Sequence, residues 1–399
     1  MTKRRDFLKQ TGLGAATLVL RSEICAGSEG APSARGSVAP LPSFLAGYES
    51  LYREDPRAAT LAWFRKNRFG MMVCYSLCSL DGVHCFEQWQ NKIPVRDYEK
   101  KAERFKASGF SAGTIADLAQ QCGMKYVTMI AKFCEGFCLW NTRQTPFNTV
   151  QTAAGRDLIG EMAEACRKRG LGFFPFYEHG IEWHHPNGPR FADWKVRLAE
   201  VPYPTPEPTY AYGDQYDFNK YVDFVYEQIT EQFTQYGPLA GIKLDGWQVP
   251  YSGDSRRFRL PQLYAQIRRL QPHALIAYKW GITGTEDIVA PEIHWIIQSL
   301  QQLGDTVDRT KSLPRLDQAK RAGKPLQVTD TLLPGWLFQK GVKPQGPEYA
   351  LSHLKLARKT AANYLLSIAL LPDGSINPQE AQTLRAIAEA IRRDNLLDY

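Results

Sequence analysis

Beyond its first twenty residues the chain has no segment long and apolar enough to cross a bilayer as a helix, so no stable membrane association is expected once an N-terminal segment has been removed. It has no run of basic residues interleaved with aromatics. Its formal net charge of +8 is modest for 399 residues, which argues against nucleic acid as a partner. No Gly-x-Gly-x-x-Gly turn follows the first apolar run and no P-loop is present, so nucleotide-binding versions of an α/β fold have no support. There is no helical His-Glu-x-x-His, and no internal repeat of about 20–50 residues.

Cysteines are few. Of the eight, seven (Cys74, Cys78, Cys85, Cys122, Cys134, Cys138 and Cys166) lie in the body of the chain, an odd number, and they sit inside apolar runs. That placement reads as buried thiols rather than a disulfide framework. A cluster of Cys74, Cys78, His84, Cys85, Cys134 and Cys138 is conceivable, but these spacings match no standard zinc signature. No metal and no cofactor are expected.

What is present is a large core: 44% of residues are hydrophobic and 12% aromatic, which excludes global disorder. The N-terminus, Lys3-Arg4-Arg5-Asp6-Phe7-Leu8-Lys9 followed by the apolar stretch Gly12 to Leu20, resembles a twin-arginine export signal. The expectation is a signal and linker over 1–34, a periplasmic or secreted protein, and one domain over 46–399. Residues 27–45 are rich in Gly, Ser, Pro and Ala and read as linker.

Short apolar runs suited to buried strands occur at Phe69–Tyr75, Lys125–Ala131, Leu171–Tyr177, Gly241–Asp245, Ala274–Trp280, Ile293–Gln298, Leu326–Thr329 and Tyr364–Leu370. Between them lie helical segments at Asp97–Phe105, Ser111–Gly123, Arg156–Arg169, Asn219–Tyr236, Pro261–Leu270, Tyr349–Ala361 and Pro378–Arg393. Gly123, Gly170 and Gly237 serve as stops. Eight strands alternating with helices predict an α/β fold, a (β/α)8 barrel of the TIM type; an open doubly wound sheet is the alternative.

Barrels of this type place their chemistry where strands end. The first unit supplies Tyr75, Ser76, Glu87 and Trp89, and the second Lys132, Glu135 and Trp140. The third supplies Tyr177, Glu178, His179, Glu182, Trp183, His184 and His185. The fourth supplies Asp245 and Trp247, and the fifth Lys279, Trp280, Glu286 and Glu292. Carboxylates beside aromatic rings suit a glycan or glycoside, whose apolar ring faces stack on aromatics. Glycoside hydrolysis requires two carboxyl groups. Asp245 is the sharpest position, because it ends an apolar strand and would point into the barrel mouth.

Several motifs, in order, resemble the family-29 glycoside hydrolases, the α-L-fucosidases, from about Trp63 to Arg393. They are Trp63-Phe64 with Phe69-Gly70; Cys122-Gly123-Met124-Lys125-Tyr126-Val127 followed by Lys132, Gly136-Phe137 and Leu139-Trp140; and Arg156-Asp157-Leu158 with Lys168-Arg169-Gly170-Leu171. Leu244-Asp245-Gly246-Trp247, Leu365-Leu366-Ser367-Ile368 and Pro372-Asp373-Gly374-Ser375-Ile376 complete the set. The resemblance implies a retaining exo-glycosidase with Asp245 as nucleophile. It implies Glu292 as acid/base, with Glu286 second and Glu135 third, and no appended C-terminal β-sandwich. Substrate contacts are expected from Tyr75, Glu87, Trp89, Glu135, Trp140, Tyr177, His179, Trp183, His184, Trp247 and Lys279.

The chain also departs from the family pattern. Its first strand ends Tyr75-Ser76-Leu77 instead of His-Trp-Gly. Phe133-Cys134 replaces two histidines, and Lys279 stands where an arginine is common. These changes predict an altered sugar preference. A glycan-binding barrel without turnover is the competing expectation.

Overall fold

Eight parallel strands are hydrogen-bonded in the order β6-β5-β4-β3-β2-β1-β8-β7. They are β1 (Phe69–Cys74), β2 (Tyr126–Lys132), β3 (Gly172–Glu178), β4 (Gly241–Asp245), β5 (Leu275–Tyr278), β6 (Ile288–Val289), β7 (Gln327–Thr331) and β8 (Asn363–Ala369). Parallel bridges Val289↔Leu326 and Glu292↔Thr329 join the β6 side to β7 and close the ring. The computed structural model describes residues 40–199, 215–246, 248–294 and 321–398. The export-signal reading of 1–34 and the site candidate Trp247 lie outside the described residues.

Seven of the strands are buried at every position and β7 at all but its last. A parallel sheet covered on both faces demands this, and it explains why the strands read as continuous apolar runs. Helices start and stop where cap chemistry dictates. The Ser111 hydroxyl accepts from Thr114 N at 3.3 Å, and Asp157 accepts from Gly160 N at 2.7 Å. Asn377 accepts from Gln379 N at 3.0 Å. Among the described residues no helix is long and apolar enough to cross a membrane.

Two expectations are corrected. The sixth strand is Ile288–Val289 rather than Ile293–Gln298. Asp287 pairs with Ile276 through its own N–H (2.9 Å to the carbonyl) and through its carboxylate (2.9 Å to the amide), which starts the ladder there. Ile293 and His294 already turn helically, and 295–298 lie outside the described residues. The segment read as linker reaches only part-way to residue 45, because Phe44 and Leu45 are buried. Phe44 packs on Trp63 at 4.8 Å between ring centroids, and Phe64 on Tyr126 at 5.4 Å. The helices Glu49–Glu54 and Pro56–Lys66 thus seal the end of the barrel where β2 begins.

Two glycines set the opposite end. A Cβ on Gly180 would lie 2.4 Å from Gly246 Cα. Only a glycine pair lets the loops after β3 and β4 touch backbone to backbone, directly behind Glu178 and Asp245.

Candidate active site

A cavity of about 460 Å³ opens at the C-terminal ends of the strands. Its walls are Met72 and Cys74 from β1, Ile130 from β2, Phe176 and Glu178 from β3, and Lys243 and Asp245 from β4. Loops add His84, Cys85, Phe86, Phe133, Cys134, Ile181, Gln248, Lys279, Ala290, Glu292 and His294. Thr329 on β7 and Pro334-Gly335-Trp336 complete the lining. Gln248 and Trp336 hold positive φ angles, 61° and 64°, a strained conformation for residues with side chains and one that clusters at functional rims.

Asp245 is clamped from behind. Its carbonyl accepts the His179 N–H at 3.0 Å and the ring Nδ1–H at 2.7 Å, while Tyr278 donates to His179 Nε2 at 3.2 Å. Burial pushes His179 down to about 4, so the ring is neutral, as this pattern needs. The Asp245 carboxylate accepts from Gly246 N at 2.7 Å and faces Lys279 Nζ at 3.2 Å. The same ammonium meets Glu292 Oε1 at 2.6 Å. With both oxygens on one nitrogen, the 3.2 Å and 2.6 Å bridges laid end to end limit their separation to 5.8 Å. Burial opposes the charge of Lys279, but Asp245, Glu292 and Glu178 hold it above the ordinary lysine range. His294 touches Glu292 from the rim at 3.3 Å.

Glu178 is the register partner of Asp245 on the neighbouring strand. One of its oxygens accepts from Gly180 N (2.9 Å) and Ile181 N (3.1 Å). Burial and the nearby Asp245 push its carboxyl up to about 8, so it keeps its proton at neutral pH. Lys243, two residues before Asp245, shares that strand's inward face. Its Nζ donates to Gln327 Oε1 at 3.0 Å and Thr329 Oγ1 at 2.9 Å.

Of the sequence-derived candidates, the cavity gathers Glu178, Asp245, Glu292 and Lys279. Glu286 does not reach it. Its carboxylate closes its own loop, accepting from Ile282 N, Thr283 N and Gly284 N at 2.8–2.9 Å and from Tyr264 at 3.0 Å. Glu135 is buried against the Ser76 hydroxyl, away from the lining. Burial raises its carboxyl to about 7.

The aromatic and remaining polar candidates support loops. Tyr75 donates to Pro372 O, Trp89 to Arg197 O, Trp140 to Glu231, Tyr177 to Gln228 and Trp183 to Leu198 O. Glu87 pairs with Lys101; His184 meets Glu99 at 2.7 Å and stacks on Phe147. His179 acts through the Asp245 backbone. All these side chains lie outside the cavity lining: Tyr75 and Tyr177 because alternate residues at strand ends face the helices, the others because they sit on the connections beyond the strands.

The same alternation could have found what sequence reasoning left without a role. Counting back by two from Asp245 marks Lys243, and Glu178 is the register partner of Asp245 on β3. Trp336 carries no such signal. The cavity cysteines Cys74, Cys85 and Cys134 are unpaired. Burial raises all three thiols, Cys74 to about 12, so they are held protonated.

Buried ionisable groups also set the pH dependence of stability. Burial lowers His179 to about 4, His185 to about 3 and His273 to about 4, from an ordinary 6.5. It raises Glu135 to about 7 and Glu178 and Glu380 to about 8, from 4.5. Below pH 6.5 the unfolded chain binds more protons at the histidines, so their contribution is lost as pH falls. Above pH 4.5 the folded chain binds more at the glutamates, so theirs is lost as pH rises. Between these limits three groups oppose three. Urea midpoints should therefore be level from about pH 4.5 to 6.5 and fall on both sides. A steady rise from pH 5 to 8 would contradict these assignments.

A closed (β/α)8 barrel with carboxyl groups and an apolar wall at its strand ends has the architecture of a glycoside-hydrolase catalytic domain. The family model for alpha-L-fucosidase matches residues 45–395, and the chain belongs to that family. Plasma alpha-L-fucosidase of Rattus norvegicus is 30% identical over 156 residues, 35% of this chain and 34% of that protein. The chain thus spans about a third of the length of that relative. Putative alpha-L-fucosidase 1 of Oryza sativa subsp. japonica is 24% identical over 304 residues, 71% of this chain and 51% of that one. Among solved structures, alpha-L-fucosidase isoenzyme 1 from Paenibacillus thiaminolyticus matches with a TM-score of 0.69 at 26% identity, covering 85% of this chain and 77% of that one. Unliganded alpha-L-fucosidase AlfC from Lactobacillus casei gives 0.68 at 26%, covering 84% and 98%.

Proposed function

We propose that the protein is a retaining exo-glycosidase acting on α-L-fucosides or a related deoxy-sugar glycoside, with Asp245 as nucleophile and Glu292 as acid/base. The observation that carries this reading is the shared ammonium. Asp245 and Glu292 have oxygens no more than 5.8 Å apart in one cavity, in keeping with the about 5–5.5 Å of retaining pairs and below the about 6.5–9.5 Å of inverting ones. Asp245 would attack the anomeric carbon. Glu292 would protonate the leaving oxygen and then activate water. Lys279 holds both groups and His179 fixes the backbone of the first.

Azide tests the assignment. In Glu292→Ala a small anion replaces the base-activated water, so azide should restore turnover of an activated aryl glycoside and yield the glycosyl azide of retained configuration. Glu178→Ala belongs in the same experiment, because Glu178 is the cavity carboxyl that keeps a proton at neutral pH. Rescue of Glu178→Ala and not of Glu292→Ala would move the acid/base role to Glu178.

Specificity follows from the wall. Phe133 offers no hydrogen-bond donor and Cys134 only a weak one, and both line the cavity. A buried sugar hydroxyl left without a partner costs about 1–3 kcal/mol. Aryl α-L-fucosides should therefore be poor substrates, with a substituted or differently configured glycoside preferred. An aryl α-L-fucoside that is best in a glycoside panel, at about 10⁴ M⁻¹s⁻¹ or more, would contradict this. A binder without turnover is the competing reading. The rim geometry favours it, since both Glu292 oxygens are engaged, Oε1 by Lys279 at 2.6 Å and Oε2 by His294 at 3.3 Å, whereas an acid must present its carboxyl to the leaving oxygen.

A further inference from the structure

We propose that the sugar bound in the cavity carries an anionic group, a carboxylate or a sulfate ester, seated on Lys243; the proposal rests on the glycosidase reading above. Lys243 is 4% exposed, lies on the inward face of β4, and lines the cavity beside Thr329. An ammonium has three donors. Two are spent on neutral oxygens, Gln327 Oε1 and Thr329 Oγ1, and the third has no acceptor among the described residues. At bridging distance Lys243 has no carboxylate among the described residues. Asp245 and Glu292 both turn to Lys279 instead.

A buried ammonium among neutral acceptors carries a desolvation cost that an anion offsets. Burial, aided by the Lys279 charge, pulls Lys243 down to about 8 although the more distant Asp245 and Glu292 hold it up. A purely structural tie between β4 and β7 would be served by a neutral amide without that cost. The wall over β1 to β3, with Met72, Ile130, Phe133 and Phe176, gives a sugar ring an apolar face and no donor. Toward β4 and β7 the lining instead offers Lys243, Asp245 and Thr329.

The test uses the purified protein and monosaccharides matched in ring configuration: L-fucose, L-galactose and L-galacturonate, which differ at C6, and the 2-, 3- and 4-sulfates of L-fucose. Calorimetry gives Kd for wild type and Lys243→Met. At least one anionic sugar should bind about tenfold or more tightly than its uncharged partner, the worth of one charge-assisted hydrogen bond. The carboxylate and sulfate arms identify which anion it is. In Lys243→Met the difference should vanish, the anionic sugar losing about tenfold or more affinity beyond whatever its uncharged partner loses. If Lys243→Met does not fold, Lys243→Gln serves, and the wild-type series decides by itself. Uncharged sugars binding as tightly as every anionic one, or an anion preference that survives loss of Lys243, would overturn the proposal and leave the glycosidase reading standing. Failure of every sugar to bind folded wild type would overturn both.

Discussion

Asp245→Ala should lower turnover on the natural glycoside by roughly 10⁴-fold or more, the scale seen when a member of a catalytic set is deleted, while the protein stays folded. The carboxylate is at the mouth of the cavity and its removal leaves β4 intact, because the clamp from His179 falls on the backbone carbonyl. Alanine keeps that carbonyl. What is lost is the atom that would bond to the anomeric carbon, and with it the covalent route. The variant should retain sugar binding through Lys279 and the apolar wall, so kcat falls far more than KM changes. Turnover within about tenfold of wild type would remove Asp245 from the nucleophile role.

The largest effect on stability is expected at Lys132. Its ammonium is wholly buried at the end of β2 and paired with the equally buried Glu182. The ammonium also lies 4.8 Å from the Tyr177 ring centroid. The other Glu182 oxygen accepts from His184 N (3.0 Å) and His185 N (3.2 Å), fixing the loop after β3. Replacing Lys132 with methionine leaves an uncompensated buried carboxylate beneath the loop after β3, at a cost of about 3–5 kcal/mol. Replacing both partners by apolar residues should cost much less, since no buried charge then remains. Urea unfolding of the single and double variants measures this. Equal loss in both would show that packing, not the unpaired charge, sets the penalty.

Most of the architecture was legible in the sequence. Gly241–Asp245 and Pro378–Arg393 run over the residues that their patterns mark, because one is an apolar run ended by a carboxylate and the other a helix opened by Asn377-Pro378. The sixth strand was hidden because Ile288–Val289 is only two residues long and is defined by Asp287 pairing with β5, a tertiary event that local pattern does not record. At the site, the order of strand ends identified Asp245, Lys279 and Glu292. It could not tell which neighbours face inward. Tyr177 and Glu178 are adjacent in the chain, yet one packs on Gln228 of the covering helix and the other lines the cavity. Lys243 was masked by its surroundings, since a lysine inside an apolar strand reads as an interruption until the barrel closes around it.

The central claim, that Asp245 is a working nucleophile in a retaining glycosidase, is tested most directly by covalent trapping. A 2-fluoro glycosyl fluoride of fucose, with sulfated or uronate analogues alongside, should inactivate the protein and add one sugar to the Asp245 side chain, located by peptide mass spectrometry. Asp245→Ala should remain unlabelled. Absence of labelling across the reagent series, with sugar binding intact, would contradict the account and leave a glycan-binding barrel without turnover.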